Sequence, residues 1–398
     1  MRWGALVALA LLTGFLALSP GTTASAEDST GPTLLDIAIP AVHGQIDAKW
    51  LPYAGGVPRA KVLLPAGYDP SRRYPLLVLL EGLTSNYTMW AADGMGQVAK
   101  TAAGLDAIIV MPEGGNGWYT DWWNKGTRGG PSWETYILDD VIATVMADYP
   151  IRPERRWHAL GGDSMGGLGT AFLGGRLPGF FGTIAVLSGL ADNHIIYGEN
   201  EIQSFIPQYE AKTTTIDPQA VYGPEFGFYS LGHDPTRLAA NLQHTRVFAT
   251  VGNGIRTTDG EPFDDAPTDG PAEGLIIRTA MNKYAQALRA AGVDVTYRTH
   301  NGAHSWPNFR QELRDAIAWG LFAPVEQDPG SWVNDTVATE GNLWGVGYRF
   351  SAPPNAIVRF ARSGGTLTVS RAGSPVTLTV PGGCTVTVAT PATVPWTC

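Results

Sequence analysis

Between His158 and Phe172 the chain reads HALGGDSMGGLGTAF, with Ser164 standing alone between glycines. Gly162-Asp163-Ser164-Met165-Gly166 fits G-x-S-x-G, follows an apolar strand-like run and opens a run of small residues suited to a helix. That is the setting in which a tight strand-to-helix turn presents a serine as a nucleophile. A side chain two positions away on either side would crowd the neighbouring strand and helix. The pattern is weak by itself in a chain with 49 glycines, so its weight comes from downstream partners. A serine hydroxyl needs a base, and THNGAHSWPNF offers His300 and His304. His304, in the loop before a Trp-started helix, is the better base, and His300 ends the strand. His43, His158, His194, His233 and His244 read as structural or surface residues. The third member should be a carboxylate after RVFATVGNG, where Asp259, Glu261, Asp264, Asp265, Asp269 and Glu273 all stand. Spacing does not choose among them, and so acidic a loop also fits solvated surface or a loose cation site. For the oxyanion, the motif nominates the Met165 N–H, and the Gly82-Leu83 step in VLLEGLTSN nominates the Leu83 N–H.

These residues must be held by a scaffold, and the chain supplies one. From Leu34 to about Phe322, the runs LLDIAI, AKVLLP, PLLVLLEG, AIIVMPEG, WHALGG, GTIAVLSG, RVFATVGNG and VDVTYRTH read as strands. SWETYILDDVIATVMADYP, GLIIRTAMNKYAQALRAAG and WPNFRQELRDAIAWGLF read as helices between them. The alternation predicts an α/β protein with a mostly parallel sheet and helices on both faces. After FAPVEQDPGS the helical period stops, and AIVRFAR, TLTVSR, VTLTVPGG and CTVTVAT alternate β-branched with polar residues. The expected organisation is a signal peptide at 1–26, a catalytic domain at 27–322, a linker at 323–330 and a small β-rich module at 331–398. The module reads equally as a stabilising appendage or as a cell-wall or carbohydrate contact.

The outer bounds narrow the chemistry. MRWGALVALALLTGFLALSPGTTASAED has a basic start, an apolar run and an Ala-Ser-Ala site, which predicts export with cleavage after Ala26. A formal charge of -9 with only 16% charged residues argues against nucleic acid or an anionic membrane as partner. The 13 tryptophans suit aromatic walls for sugars or acyl chains as well as ordinary core. The two cysteines, Cys384 and Cys398, are expected to pair near the C-terminus, closing a loop of about 15 residues. No spacing of Cys and His suggests zinc, and no metal or other cofactor is expected.

The blocks LLEGLTSNYTMW, IIVMPEGGNGWYTDWW, SWETYILDD, LGGDSMGG, YGPEFG, HDPTRL, PAEGLIIRT and NGAHSWPNF, in this order, resemble the actinobacterial mycolyltransferases of the antigen 85 complex, within the esterase D group. The resemblance implies the α/β-hydrolase fold. It also implies Ser164 as nucleophile, His304 as base, Leu83 and Met165 as oxyanion donors, and Trp306 at a sugar site. It selects Glu273 as the acid, with Asp265 as runner-up. Glu81 and Thr84 fall at substrate-binding positions. Where the family reads Asp-Gly-Leu-Arg, this chain reads Glu81-Gly82-Leu83-Thr84, so an arginine that helps hold trehalose is absent.

The reading is a secreted or cell-envelope serine acyltransferase/esterase working through an acyl-enzyme. It would move an acyl chain from a glycolipid such as a trehalose ester to a carbohydrate hydroxyl. The alternatives are a secreted carboxylesterase with water as acceptor and, from another class, a non-catalytic wall-binding protein.

Overall fold

Strands made mostly of apolar or small residues can be covered on both faces, and four such strands form the centre of the main sheet. The computed structural model describes residues 31–51, 54–194, 217, 219–256 and 269–397. The expected signal peptide, and Asp259, Glu261, Asp264 and Asp265, lie outside the described residues. The eight strands are β1 (Thr33–Ala38), β2 (Arg59–Leu64), β3 (Leu76–Leu80), β4 (Ile108–Pro112), β5 (His158–Asp163), β6 (Thr183–Leu187), β7 (Arg246–Gly252) and β8 (Val295–His300). They line up as β1-β2-β4-β3-β5-β6-β7-β8. β2 is antiparallel to both β1 and β4, and every later pair is parallel. This is an α/β-hydrolase sheet, as expected. β3, β4, β5 and β6 are buried at every position. Their period-2 alternation divides the core into two layers: Leu76, Val78 and Leu80 pack on one side, Leu77 and Leu79 on the other.

Four helices matter for the site. α1 starts at Trp133–Thr135, passes through a π-wound stretch, Tyr136–Val141, and ends as Ile142–Asp148. α2 (Met165–Arg176) is buried at every position. Its small residues permit that depth: a Cβ on Gly169 would meet the Tyr119 ring at 2.4 Å. α3 (Arg278–Ala290) follows the π-wound Ala272–Ile277. α4 (Trp306–Trp319) has Pro307 in its first turn and is closed by Gly320 at φ 96°, the usual start and stop signals.

From Ser331 onward the described chain is all β. Strands β9 (Ser331–Thr336), β10 (Glu340–Leu343), β11 (Val346–Phe350), β12 (Val358–Ser363), β13 (Thr366–Val369), β14 (Val376–Thr379), β15 (Thr385–Val388) and β16 (Ala392–Pro395) form two four-stranded sheets, β10-β11-β14-β15 and β16-β13-β12-β9. Trp332, Tyr348, Phe350, Phe360 and Trp396 fill the space between them. The alternating runs of the sequence correspond to β12–β15. β9–β11 are not marked in the sequence because Asn, Gly and Trp interrupt the β-branched pattern, and β16 because it is short and ends on proline. Cys384 is disulfide-bonded, and Cys398, the chain's other cysteine, lies outside the described residues.

These sheets dock against the α/β layer through directional contacts. Asn241 Nδ2 donates to the Asp335 carbonyl at 2.9 Å and its Oδ1 accepts the Asp335 N–H at 2.8 Å. Asn334 Nδ2 donates to the Gly175 carbonyl at 2.7 Å, at the end of α2. The Arg155 guanidinium lies 4.6 Å from the Trp344 ring and donates to the Glu326 carbonyl at 2.6 Å, so the connecting segment is held as well. Asn241→Ala leaves two backbone groups of β9 without partners, each costing about 1–3 kcal/mol. Thermal unfolding should show a clearly lowered midpoint; an unchanged midpoint would show that water replaces both bonds freely.

Candidate active site

The turn after β5 bears the first functional side chain. Ser164 sits at φ 55°, ψ -116°, a region that an L-residue occupies only when its surroundings hold it there, at a cost of about 1–3 kcal/mol. The glycines make the turn feasible. A Cβ on Gly162 would meet the Gly166 carbonyl oxygen at 2.6 Å, and one on Gly166 would meet the Leu80 oxygen at 2.6 Å. On Gly167 it would meet Gly189 Cα at 2.5 Å. Backbone bonds then lock the turn to the next strand: Ser164 N–H donates to the Leu187 carbonyl at 3.1 Å, and Leu190 N–H donates to the Ser164 carbonyl at 3.1 Å.

The structure brings together three residues far apart in sequence. Ser164 Oγ donates to His304 Nε2 at 2.8 Å, and His304 Nδ1 donates to Glu273 Oε2 at 2.7 Å. Glu273 is fully buried. It enters from the π-wound turn Ala272–Ile277, a winding often found at functional sites. Its other oxygen, Oε1, accepts the Gly252 N–H at 2.6 Å and the Ser188 hydroxyl at 2.5 Å. Asp269, another of the acid candidates, instead offers its backbone carbonyl to the His304 N–H at 3.1 Å. For His304, burial is the largest influence and opposes protonation, but the hydrogen bond and charge of Glu273 outweigh it and hold the imidazole above its ordinary value. The arrangement can transfer the serine proton to His304 while Glu273 fixes the tautomer and compensates the charge that forms.

Ser164 and His304 open onto a cavity of about 590 Å³ whose lining includes Leu83, Met89, Met95, Trp118, Ile276 and Trp306. Met165 starts α2, so its N–H has no acceptor within the helix, and Leu83 lines the same cavity. Trp306 packs edge-on against Trp90 at 5.3 Å. Thr84 is exposed on the rim, at φ 61°, with its N–H on Asn116 Oδ1 at 2.5 Å. The lining includes no Lys or Arg among the described residues.

One expected contact is corrected. Glu81 is only 2% exposed and does not line the cavity. Its Oε1 accepts the Gly114 N–H at 2.8 Å, and its main chain exchanges hydrogen bonds with the Tyr119 hydroxyl. Burial, then the neighbouring Glu113, push its carboxyl well above the usual range. Glu81 thus braces the loop before Leu83 and is not placed to meet a sugar. Asp163, the residue before the candidate nucleophile, does line the cavity, and burial pushes its carboxyl up to about 7. Sequence reasoning assigned no role to Ser188, Asn308 or Glu312; their residue types are unremarkable and their proximity exists only in the fold. The other histidines have structural partners, such as His43 on Asp140 and His158 on the Arg152 and Phe180 carbonyls. His300 does end β8, but its Nε2 contacts Glu312 Oε1 at 3.0 Å.

The Esterase family model matches residues 53–319. The chain belongs to that family. An esterase of Mycobacterium tuberculosis (strain H37Rv) is 34% identical over 140 residues, covering 34% of this chain and 30% of the relative. The diacylglycerol acyltransferase/mycolyltransferase Ag85C of Mycobacterium avium is 27% identical over 252 residues, covering 59% of this chain and 66% of the relative. The chain thus spans less than two thirds of each of these relatives. In structure it is similar to MPT51 of Mycobacterium tuberculosis, with a TM-score of 0.53 at 17% identity, covering 73% of this chain and 98% of that one. A fluorophosphonate-binding serine hydrolase of Staphylococcus aureus gives a TM-score of 0.53 at 17% identity, covering 74% and 100%. At such identity the likeness is one of fold.

If Ser164, His304 and Glu273 act as a unit, Ser164→Ala abolishes labelling by a fluorophosphonate and ester turnover together. Glu273→Gln should lower kcat by roughly 10³- to 10⁴-fold; near wild-type turnover would remove Glu273 from the triad. Only neutral His304 can take the serine proton. The raised imidazole therefore places the acid limb of kcat/KM above pH 6.5, and a limb below that value would contradict the pairing with a charged Glu273.

Proposed function

We propose that this esterase is a secreted serine acyltransferase/esterase that forms an acyl-enzyme on Ser164 and passes the acyl group to a carbohydrate hydroxyl, with water as a competing acceptor. The observation that carries the reading is the Ser164–His304–Glu273 chain opening onto a mostly apolar cavity. In the first step Ser164 Oγ attacks the ester carbonyl as its proton moves to His304 Nε2. The Leu83 and Met165 N–H groups receive the oxyanion, and the His304 proton leaves with the alcohol. In the second step His304 takes a proton from the acceptor, which attacks the acyl-enzyme and regenerates Ser164.

The apolar lining suits an aliphatic acyl group, and the absence of Lys and Arg from it suits a neutral ester. The likeness to Ag85C, a diacylglycerol acyltransferase/mycolyltransferase by name, favours a glycolipid donor such as a trehalose ester. Trp306 lines the cavity together with His304, which supports a role for it against a sugar face. The export pattern at 1–26 fits a cell-envelope substrate, and the C-terminal sheets would then add either stability or wall contact. Plain hydrolysis is the second reading, and Thr84 favours it. A threonine lacks the fork of donors that an arginine offers a sugar, and such charge-assisted bonds are worth about 1.5–3 kcal/mol.

Incubating the protein with a trehalose ester, with and without added sugar, and resolving the products tests both readings. Transfer to sugar with weak acceptor affinity and a large hydrolytic fraction is expected. Thr84 is exposed on the rim, so Thr84→Arg can reach the acceptor and should raise the ratio of transfer to hydrolysis by about tenfold or more. Free acid as sole product at high sugar, in both proteins, would leave only the esterase.

A further inference from the structure

Behind the candidate triad lies a second histidine–carboxylate pair that the proposed mechanism does not use. Ser188, in the turn after β6, holds a backbone φ of 42°, a costly conformation for a serine. Its hydroxyl lies 2.5 Å from Glu273 Oε1 and 2.8 Å from Glu312 Oε1. Asn308 Nδ2 donates to the same hydroxyl at 3.2 Å. On its far side Glu312 Oε1 meets His300 Nε2 at 3.0 Å, and the second oxygen, Oε2, is buried without a hydrogen-bond partner. Glu312 and Glu273 are both fully buried.

Counting hydrogens decides how this cluster works. A serine hydroxyl has one hydrogen and cannot donate to two carboxylates at once. If both carboxyls were ionised, one of the two short contacts would set an oxygen lone pair against another in a buried site, a costly arrangement. We propose that Glu312 is a positioning residue for the reaction: it holds a proton that it donates to Ser188, so that Ser188 donates to Glu273 and Glu273 stays a pure acceptor toward His304. The chain of donation then runs from Glu312 to Ser188 to Glu273 on one side and from Ser164 through His304 to Glu273 on the other. No atom is consumed; the Glu312 proton stays in place through both steps.

The surroundings agree with this assignment. Burial, the largest influence, raises the Glu312 carboxyl, and the nearby charge of Glu273 raises it further; the hydrogen bond and charge of His300 and the contact with Ser188 act the other way, and the balance leaves the carboxyl raised to about 7. The acidic groups facing His304 are Glu273 from the π-wound turn, Asp163 from β5 and Glu312 from α4, each favouring protonated His304 only in its charged form, while His300 from β8 faces Glu312 with its own imidazole raised to about 9. When Glu312 loses its proton at higher pH, a second negative charge appears beside Glu273 and competes for the Ser188 hydrogen.

The inference rests on Glu273 being the triad acid, so the test separates the two. With a p-nitrophenyl ester as substrate, kcat and KM are measured from pH 5 to 9 for the wild type, Glu312→Gln, Glu312→Leu and Ser188→Ala, with Glu273→Gln as reference. Glutamine keeps a donor toward Ser188 at every pH, so Glu312→Gln should stay within about threefold of wild-type kcat with its acid limb at or below the wild-type pH. Glu312→Leu and Ser188→Ala remove the donor and should lose about 10- to 100-fold in kcat with KM little changed. Equal damage from Gln and Leu, or wild-type kcat and pH profile in the Leu variant, would overturn the role of Glu312. Wild-type turnover in Glu273→Gln would instead overturn the triad assignment on which it rests.

Discussion

The structure depends on one strained turn. Ser164 can face the cavity only because its backbone is held at φ 55°, ψ -116°, and that conformation persists only while neighbours on three sides enclose it. Gly162, Gly166 and Gly167 let β3, β5 and the Gly189 turn approach within distances that any Cβ would forbid. The same closeness draws α2 into the interior, which is why that helix has no polar face. The Leu187 and Ser164 carbonyls then tie the turn to the end of β6 and to Leu190. The cost of the strain is spread over a sheet whose four central strands are wholly buried, and a close-packed interior has little room to relax it.

Around the turn the protein concentrates acid groups. Glu81, Asp163, Glu273 and Glu312 are all buried, and a buried charge without a partner is expensive. The fold meets this in two ways. Glu273 stays an acceptor because His304, Ser188 and the Gly252 N–H all direct hydrogens at it. Glu81 and Asp163 lie where burial drives the carboxyl toward its neutral form. Charge is thereby concentrated where an imidazolium would form.

The C-terminal sheets do not reach the cavity, yet they hold the far end of the nucleophile helix. Arg176, the last residue of α2, is paired with Glu134 at 2.5 Å and reaches the Tyr348 hydroxyl at 3.3 Å. Asn334 holds the Gly175 carbonyl beside it. The helix therefore begins at Ser164 and ends in a polar lock built from α1 and the β sheets. Contacts of this kind make the all-β part a clamp on the scaffold.

Much of this was legible in the chain itself, and the reason is local. A strand buried on both faces is mostly apolar or small, so β3, β4, β6 and the Ala159–Gly162 part of β5 announce themselves, and a nucleophile turn must have glycines at fixed offsets, so Ser164 does too. His304 followed from its place in the loop after the last strand of the large sheet, and Glu273 from family resemblance, because spacing alone left six carboxylates equal. What the sequence could not determine was direction. Glu81 stands beside the oxyanion loop in sequence, but just past the end of β3 it is buried with its carboxyl on the Gly114 N–H and does not line the cavity. Ser188, Asn308 and Glu312 meet only because the β6 turn and α4 pack against one another, and β9–β11 form because Trp332, Trp344 and Tyr348 find a shared core. Which side chains face each other across long separations is set by packing, and packing is a property of the whole chain.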